Sequence, residues 1–228
     1  MKKSLIIAGI LCLIIVSALV YGSKLNKISN DIKEKTLQEE VRIQDEKEAQ
    51  VLAFRQRLRA KADSALLYAK EKGLDTKHAF LVDFSLHSGK NRFFVWDYEK
   101  DTVLYASLCA HGVGKGSNRS TYTDIKFSNI EGSYCSSLGK YKTGIRSYSQ
   151  WGINVHYKLH GLEKTNDNAF KRIVVLHSYS LVPQDEIHPM HLPLGYSQGC
   201  PVINDEVMRK IDNLLKSKNK PVMLWIYQ

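Results

Sequence analysis

Two stretches of this chain carry residue types that could do covalent chemistry. Residues 195–200 read Gly-Tyr-Ser-Gln-Gly-Cys with Pro201 next, and the apolar run Arg172-Ile173-Val174-Val175-Leu176 ends in His177. A thiol attacks as the thiolate, so Cys200 needs a base or a lowered pKa. It also needs donors aimed at the oxyanion that forms. Gly199 lets a carbonyl approach the backbone closely, and Ser197 places a hydroxyl three residues before the thiol. Pro201 has no N–H and biases Cys200 towards an extended conformation, so backbone donors must come from Cys200 and the residues before it. Taken alone, this turn fits a buried, inert cysteine better than a nucleophile.

A base must come from the eight histidines. His177 closes a run that reads as a core strand, which would hold its ring rigidly at a cleft. His188 and His191 lie in a polar, proline-containing loop and read as solvated. Their spacing could suit a metal, but no neighbouring motif completes a tetrahedral set, so neither a metal nor an organic cofactor is expected. His111 and His160 each precede a glycine and read as lining the cleft or bracing a turn. Of the four cysteines, Cys12 sits in an apolar segment. Cys109 and Cys135 are the only attractive disulfide pair if the chain is exported, and Cys200 is left over.

The elements that must position these groups are mostly strands. After Gly73 come aromatic and β-branched runs at residues 78–85, 92–99 and 102–111, split by turn-forming stretches. Residues 140–148, 152–162 and 172–179 continue the series, and residues 221–227 close it. One late helix is expected, capped by Asn204 and striped by Val207, Ile211, Leu214 and Leu215. Upstream, residues 24–57 are charged, free of proline and internally free of glycine, with Leu25, Ile28, Ile32, Leu37 and Val41 at helical spacing. They read as a helical stalk. From Leu58 the stripe strengthens through Ala62, Ala65, Leu66 and Ala69 and stops at Gly73.

The N-terminus begins with Lys2 and Lys3 and runs uncharged from Ser4 to Ser23, near the length that spans a bilayer. Both an uncleaved signal anchor and a cleaved signal peptide fit residues 1–23, and either exports the remainder. Lys and Arg total 33 against 23 Asp and Glu, for a net charge of +10. That balance suits an anionic membrane surface or an acidic polymer. Nucleic acid is not expected as a partner, because no phosphate loop, zinc finger or aromatic RNA motif is present.

Several stretches in order carry a family resemblance: FLVDFSLHSGKNRFFVWD, AHGVGKGS, FSNIEGSYCSSLGKYKTG, GLEKTNDNAFKRIVVLHSYS and GYSQGCPVIN, with 22 residues between His177 and Cys200. Together they resemble the YkuD-like L,D-transpeptidase catalytic domain, in the branch of murein L,D-transpeptidases, over residues 58–228. The resemblance implies a mainly β, sandwich- or barrel-like fold with a long N-terminal helix and a few short helices. It implies Cys200 as nucleophile, His177 as base, Ser178 as an orienting neighbour, Gly199 and Cys200 as the oxyanion turn, and Ser197 at the family's Ser/Thr position. Gln198 stands where the commonest motif has a second histidine, which leaves His177 the only good base. The expected activity is acyl transfer on peptidoglycan stem peptides by an enzyme of the cell envelope, anchored in the membrane with its catalytic domain exported. Hydrolysis by the same residues, as an L,D-carboxypeptidase or endopeptidase, and non-catalytic murein binding stay open.

Overall fold

The protein is seen here as a computed structural model. It describes residues 2–228, with side chains described from residue 16 onward apart from residues 18 and 28. The chain divides into two compact units, Met1–Arg57 and Leu58–Gln228. Helix α1 covers Lys2–Glu71. The expected membrane segment falls mainly on residues whose side chains lie outside the described ones. Among the described residues, no helix is long and apolar enough to cross a membrane. In the first unit Leu25, Ile32, Leu37 and Val41 are all exposed. That helix is held by its backbone and by pairs one turn apart, such as Arg42 with Glu39 at 2.5 Å and Gln44 with Glu48 at 2.7 Å.

The second unit begins with the last turns of α1. Leu58, Ala62, Ala65 and Ala69 recur every three to four residues and are buried. The three alanines let the helix lie close to its neighbours, and the Tyr98 hydroxyl just beyond residue 97 donates to the Ala62 carbonyl at 2.7 Å. Gly73 ends the helix with φ +66°. Leu74 N–H donates to Ala69 O and Gly73 N–H to Lys70 O, the paired bonds of a Schellman end.

Nine strands follow: β1 (His78–Asp83), β2 (Phe93–Asp97), β3 (Thr102–Ser107), β4 (Cys109–Ala110), β5 (Gly139–Tyr148), β6 (Val155–Gly161), β7 (Val175–Ser178), β8 (Val202–Ile203) and β9 (Met223–Tyr227). They form one sheet in the order β3-β2-β1-β9-β5-β6-β7-β8-β4. Only Leu108 separates β3 from β4, although they stand at opposite ends of that order. Ser107 pairs with Phe93 on one side and Cys109 with Ile203 on the other, so the sheet nearly closes into a barrel. The expected single run at 102–111 is therefore two strands, because the chain changes partners at Leu108. Phe80, Val82, Phe93, Val95, Tyr141, Leu159, Leu176, Leu224 and Ile226 fill one core. Period-two alternation of buried and half-buried residues shows in residues 139–144 of β5 and 155–160 of β6, and the last four residues of β5 are exposed.

Helix α2 (Asp205–Lys216) is capped by Asn204, whose side chain accepts from Val207 N–H at 2.8 Å. The same side chain donates to Ser107 Oγ at 2.9 Å and so ties the cap to the end of β3. Cys109 and Cys135 are free thiols. The Cys109 thiol faces the Ala110 carbonyl, whereas that of Cys135 faces the carbonyls of Asn118 and Ser133.

Candidate active site

Strand β7 and the turn before β8 set the geometry. They run parallel, with His177 opposite Val202. Two residues back on each, Val175 N–H points at the Cys200 sulfur, 3.4 Å away. Val175 and His177 lie two residues apart on the same strand, so their side chains share one face. Cys200 and His177 line the same cavity of about 690 Å³, together with Ser197, Gln198, Trp151 and Tyr196. Cys200 is half-buried and rests on a small cluster formed by Leu108, Ala110, Val182, Leu192 and Val202.

The imidazole has a defined tautomer. Its Nδ1 lies 2.9 Å from the Ser178 carbonyl, and a carbonyl only accepts, so Nδ1 carries the proton. Nε2 is left with a lone pair. Burial lowers the His177 pKa, partly countered by that carbonyl, and His156 opposite it on β6 lowers it further. Burial raises the Cys200 pKa, against the opposing pull of the Val175 N–H and Arg172. At rest the thiol and the imidazole that line this cavity are both neutral.

Ser178 is fully buried, and its hydroxyl accepts from Ile153 N–H at 3.1 Å. It holds the loop that carries Trp151 and presents its carbonyl to His177. The Ser197 hydroxyl donates to the Cys200 carbonyl at 2.6 Å and accepts from Gly199 N–H at 3.0 Å. The Gly199 amide is therefore engaged within the turn. Gly199 itself has φ +120°, and a Cβ there would fall 2.7 Å from the Cys135 carbonyl, so both conformation and space require glycine.

Sequence reasoning missed three residues. Arg172 donates to the carbonyls of Ser128 (2.8 Å) and Cys135 (2.6 Å) and to the hydroxyls of Ser133 and Ser137. Among the described residues it has no carboxylate partner, so its charge behind the cysteine turn is balanced only by neutral acceptors. Ile173 also lines the cavity, and the Cys200 thiol faces its carbonyl at 3.8 Å. His156 lines it too. A lone arginine just before an apolar strand was the available signal for the first. The stretch read as one strand from residue 172 is in fact a turn up to Val174, and β7 begins only at Val175. The other expected histidines lie elsewhere. His111 accepts from Arg92 in the interior, and His160 stacks on Phe170. His191 stacks on His87 at 3.7 Å, with His188 edge-on to the same ring.

No curated protein matches the chain in sequence. Among solved structures, it is similar to the helical cell shape determining protein Pgp2 from Campylobacter jejuni, at 13% identity and a TM-score of 0.43 over 66% of this chain and 47% of that one. It is also similar to Bd1075 from Bdellovibrio bacteriovorus, at 14% identity and a TM-score of 0.42 over 68% and 49%. An L,D-transpeptidase from Xylanimonas cellulosilytica matches at 11% identity and a TM-score of 0.33 over 71% and 68%. The chain spans about half the length of the first two. The model of the L,D-transpeptidase catalytic domain matches residues 48–227, which include the cysteine turn, the strand-end histidine and every strand of the barrel. With that match over most of its length, the chain belongs to the L,D-transpeptidase catalytic domain family.

Proposed function

We propose that this protein is a cysteine acyltransferase that cross-links or remodels peptidoglycan stem peptides. The observation that carries this reading is a single cleft shared by the Cys200 thiol and a His177 ring whose Nδ1 proton is committed to a carbonyl. His177 Nε2 takes the thiol proton as substrate binds. The thiolate attacks the carbonyl of the third stem residue, a diamino acid, and the oxyanion is held by backbone N–H. We assign that role to Cys200 N–H, since Pro201 has none and the Gly199 amide is held by Ser197. The C–N bond breaks, and D-alanine leaves with the proton from His177. An acceptor amine then attacks the thioester, giving its proton to His177, and the thiolate departs. Ser197 and Ser178 position the turn and the imidazole.

We further assign residues 1–23 to a membrane anchor, 24–57 to a helical stalk and 58–228 to the exported catalytic domain. The two lysines followed by an uncharged run support this assignment.

The test is mass spectrometry of the full chain, in mild detergent, after exposure to a tetrapeptide muropeptide donor. The expected result is an acyl adduct on Cys200, absent in Cys200→Ala, followed by cross-linked dimers. Shortened peptides without dimers would replace transfer by hydrolysis. Wild type and Cys200→Ala that behave alike would end the enzymatic reading.

A further inference from the structure

Residues 168–174 form a turn that ends like a helix. Val174 N–H donates to Ala169 O at 2.9 Å and Ile173 N–H to Phe170 O at 3.1 Å. In such an end the left-handed residue is normally glycine. Here it is Ile173, with φ +56°. A β-branched side chain in this region is an outlier, because its Cβ crowds the following carbonyl. Burial does not offset the strain, since Ile173 is 64% exposed. Strain without a packing reason points to function. The residue lines the cleft, and its own carbonyl faces the nucleophilic sulfur. Lys171 and Glu131, paired at 2.9 Å and both exposed, stand on the same cleft. An apolar surface flanked by charges of both signs matches a side chain made of methylenes with a charged end.

We propose that Ile173 is a substrate-binding residue, packing against the aliphatic chain of the diamino acid whose carbonyl Cys200 attacks. This rests on the peptidoglycan reading above. The left-handed turn places Ile173 on the cleft, and a glycine there would relieve strain but leave the methylenes uncovered.

The test compares full-chain wild type with Ile173→Gly, Ile173→Asn and Ile173→Val, using thermal midpoint and steady-state kinetics on a tetrapeptide donor containing the diamino acid. Gly and Asn both tolerate the left-handed region. Their midpoints are expected to equal wild type or to rise by about 2–4 °C. KM is expected to rise roughly three- to tenfold with kcat within about twofold, the pattern of lost uniform binding. Valine should keep both the wild-type KM and the wild-type midpoint. A fallen midpoint in the Gly and Asn variants, or a KM equal to wild type, overturns the proposal. Wild type that forms no adduct on Cys200 defeats this proposal and the peptidoglycan reading together. Normal turnover in wild type and Ile173→Gly alike defeats this proposal alone.

Discussion

Helix α1 ends at Gly73 and the turn before β7 ends at Ile173, and both close with the same pair of backbone bonds. Both residues are left-handed, at φ +66° and +56°. At Gly73 an added Cβ would meet nothing within 4 Å, so only backbone conformation decides the residue there, and glycine satisfies it. Ile173 breaks the same rule beside the thiol. Local conformational preference is thus followed on the scaffold and overridden at the cleft. Asp101 and Asn154 also have positive φ, but Asp and Asn adopt this region readily; Tyr134, with φ +56°, does not, and like Ile173 it lines the cleft. The two strained residues of unfavourable type both lie on the cleft.

The contrast between scaffold and cleft is broken most severely at the base. His177→Gln should lower acyl transfer by roughly 10²–10⁴-fold while the thermal midpoint stays within a few degrees of wild type. A collapse of the fold instead would make His177 a structural residue. The same base sets a pH expectation. Its pKa is lowered, so the neutral form that accepts the thiol proton persists below pH 6.5 and is lost only as pH falls through the depressed value. The acid limb of kcat/KM should therefore lie below 6.5, and a limb above that value would contradict the assigned environment.

A smaller effect is expected at Arg172. Its uncompensated charge favours the thiolate, so Arg172→Gln should slow iodoacetamide labelling of Cys200 at pH 7 by roughly tenfold and move the labelling midpoint upward. Arg172→Lys, which keeps the charge, should stay close to wild type in midpoint. Superimposable profiles for Gln and wild type would reduce Arg172 to a brace for the loop at residues 128–137.

The smallest effect sharpens the comparison directly. Gly73→Ile imposes the Ile173 situation on the scaffold without a clash. It should cost about 1–2 kcal/mol and leave KM and kcat unchanged. Each kcal/mol lowers the midpoint by about 2–4 °C. With Ile173→Gly, which should shift stability the other way and alter KM, the pair separates strain that serves binding from strain that serves nothing. A stability-neutral Gly73→Ile would remove the argument from strain.

Much of this was legible before any coordinates. Asn204 announces the α2 cap because a short polar side chain before an apolar stripe has one good use. Gly73 marks the end of α1 for an equally local reason. Arg172 and Ile173 were not legible in this way. Arg172 stands at the edge of an apolar run that Ile173 opens, and nothing in residue type shows that the strand begins only at Val175. Their role comes from contacts with Ser128, Cys135 and Cys200, which are distant in sequence. Likewise, no pattern could show that residues 102–111 divide at Leu108 between two partner strands.

By itself, the order of residues determined the strand-rich domain, the capped helix and the stop at Gly73, because each rests on local periodicity or backbone preference; the pairing of His177 with Cys200 was only what the family resemblance implied. Only the tertiary structure decided which nitrogen of His177 holds the proton, that Ser197 takes the Gly199 amide, and that a guanidinium with no carboxylate partner among the described residues stands behind the thiol. These depend on angles and distances between segments, and they emerge only when the sheet closes and brings residues 128–137, 172–177 and 195–200 to one cleft.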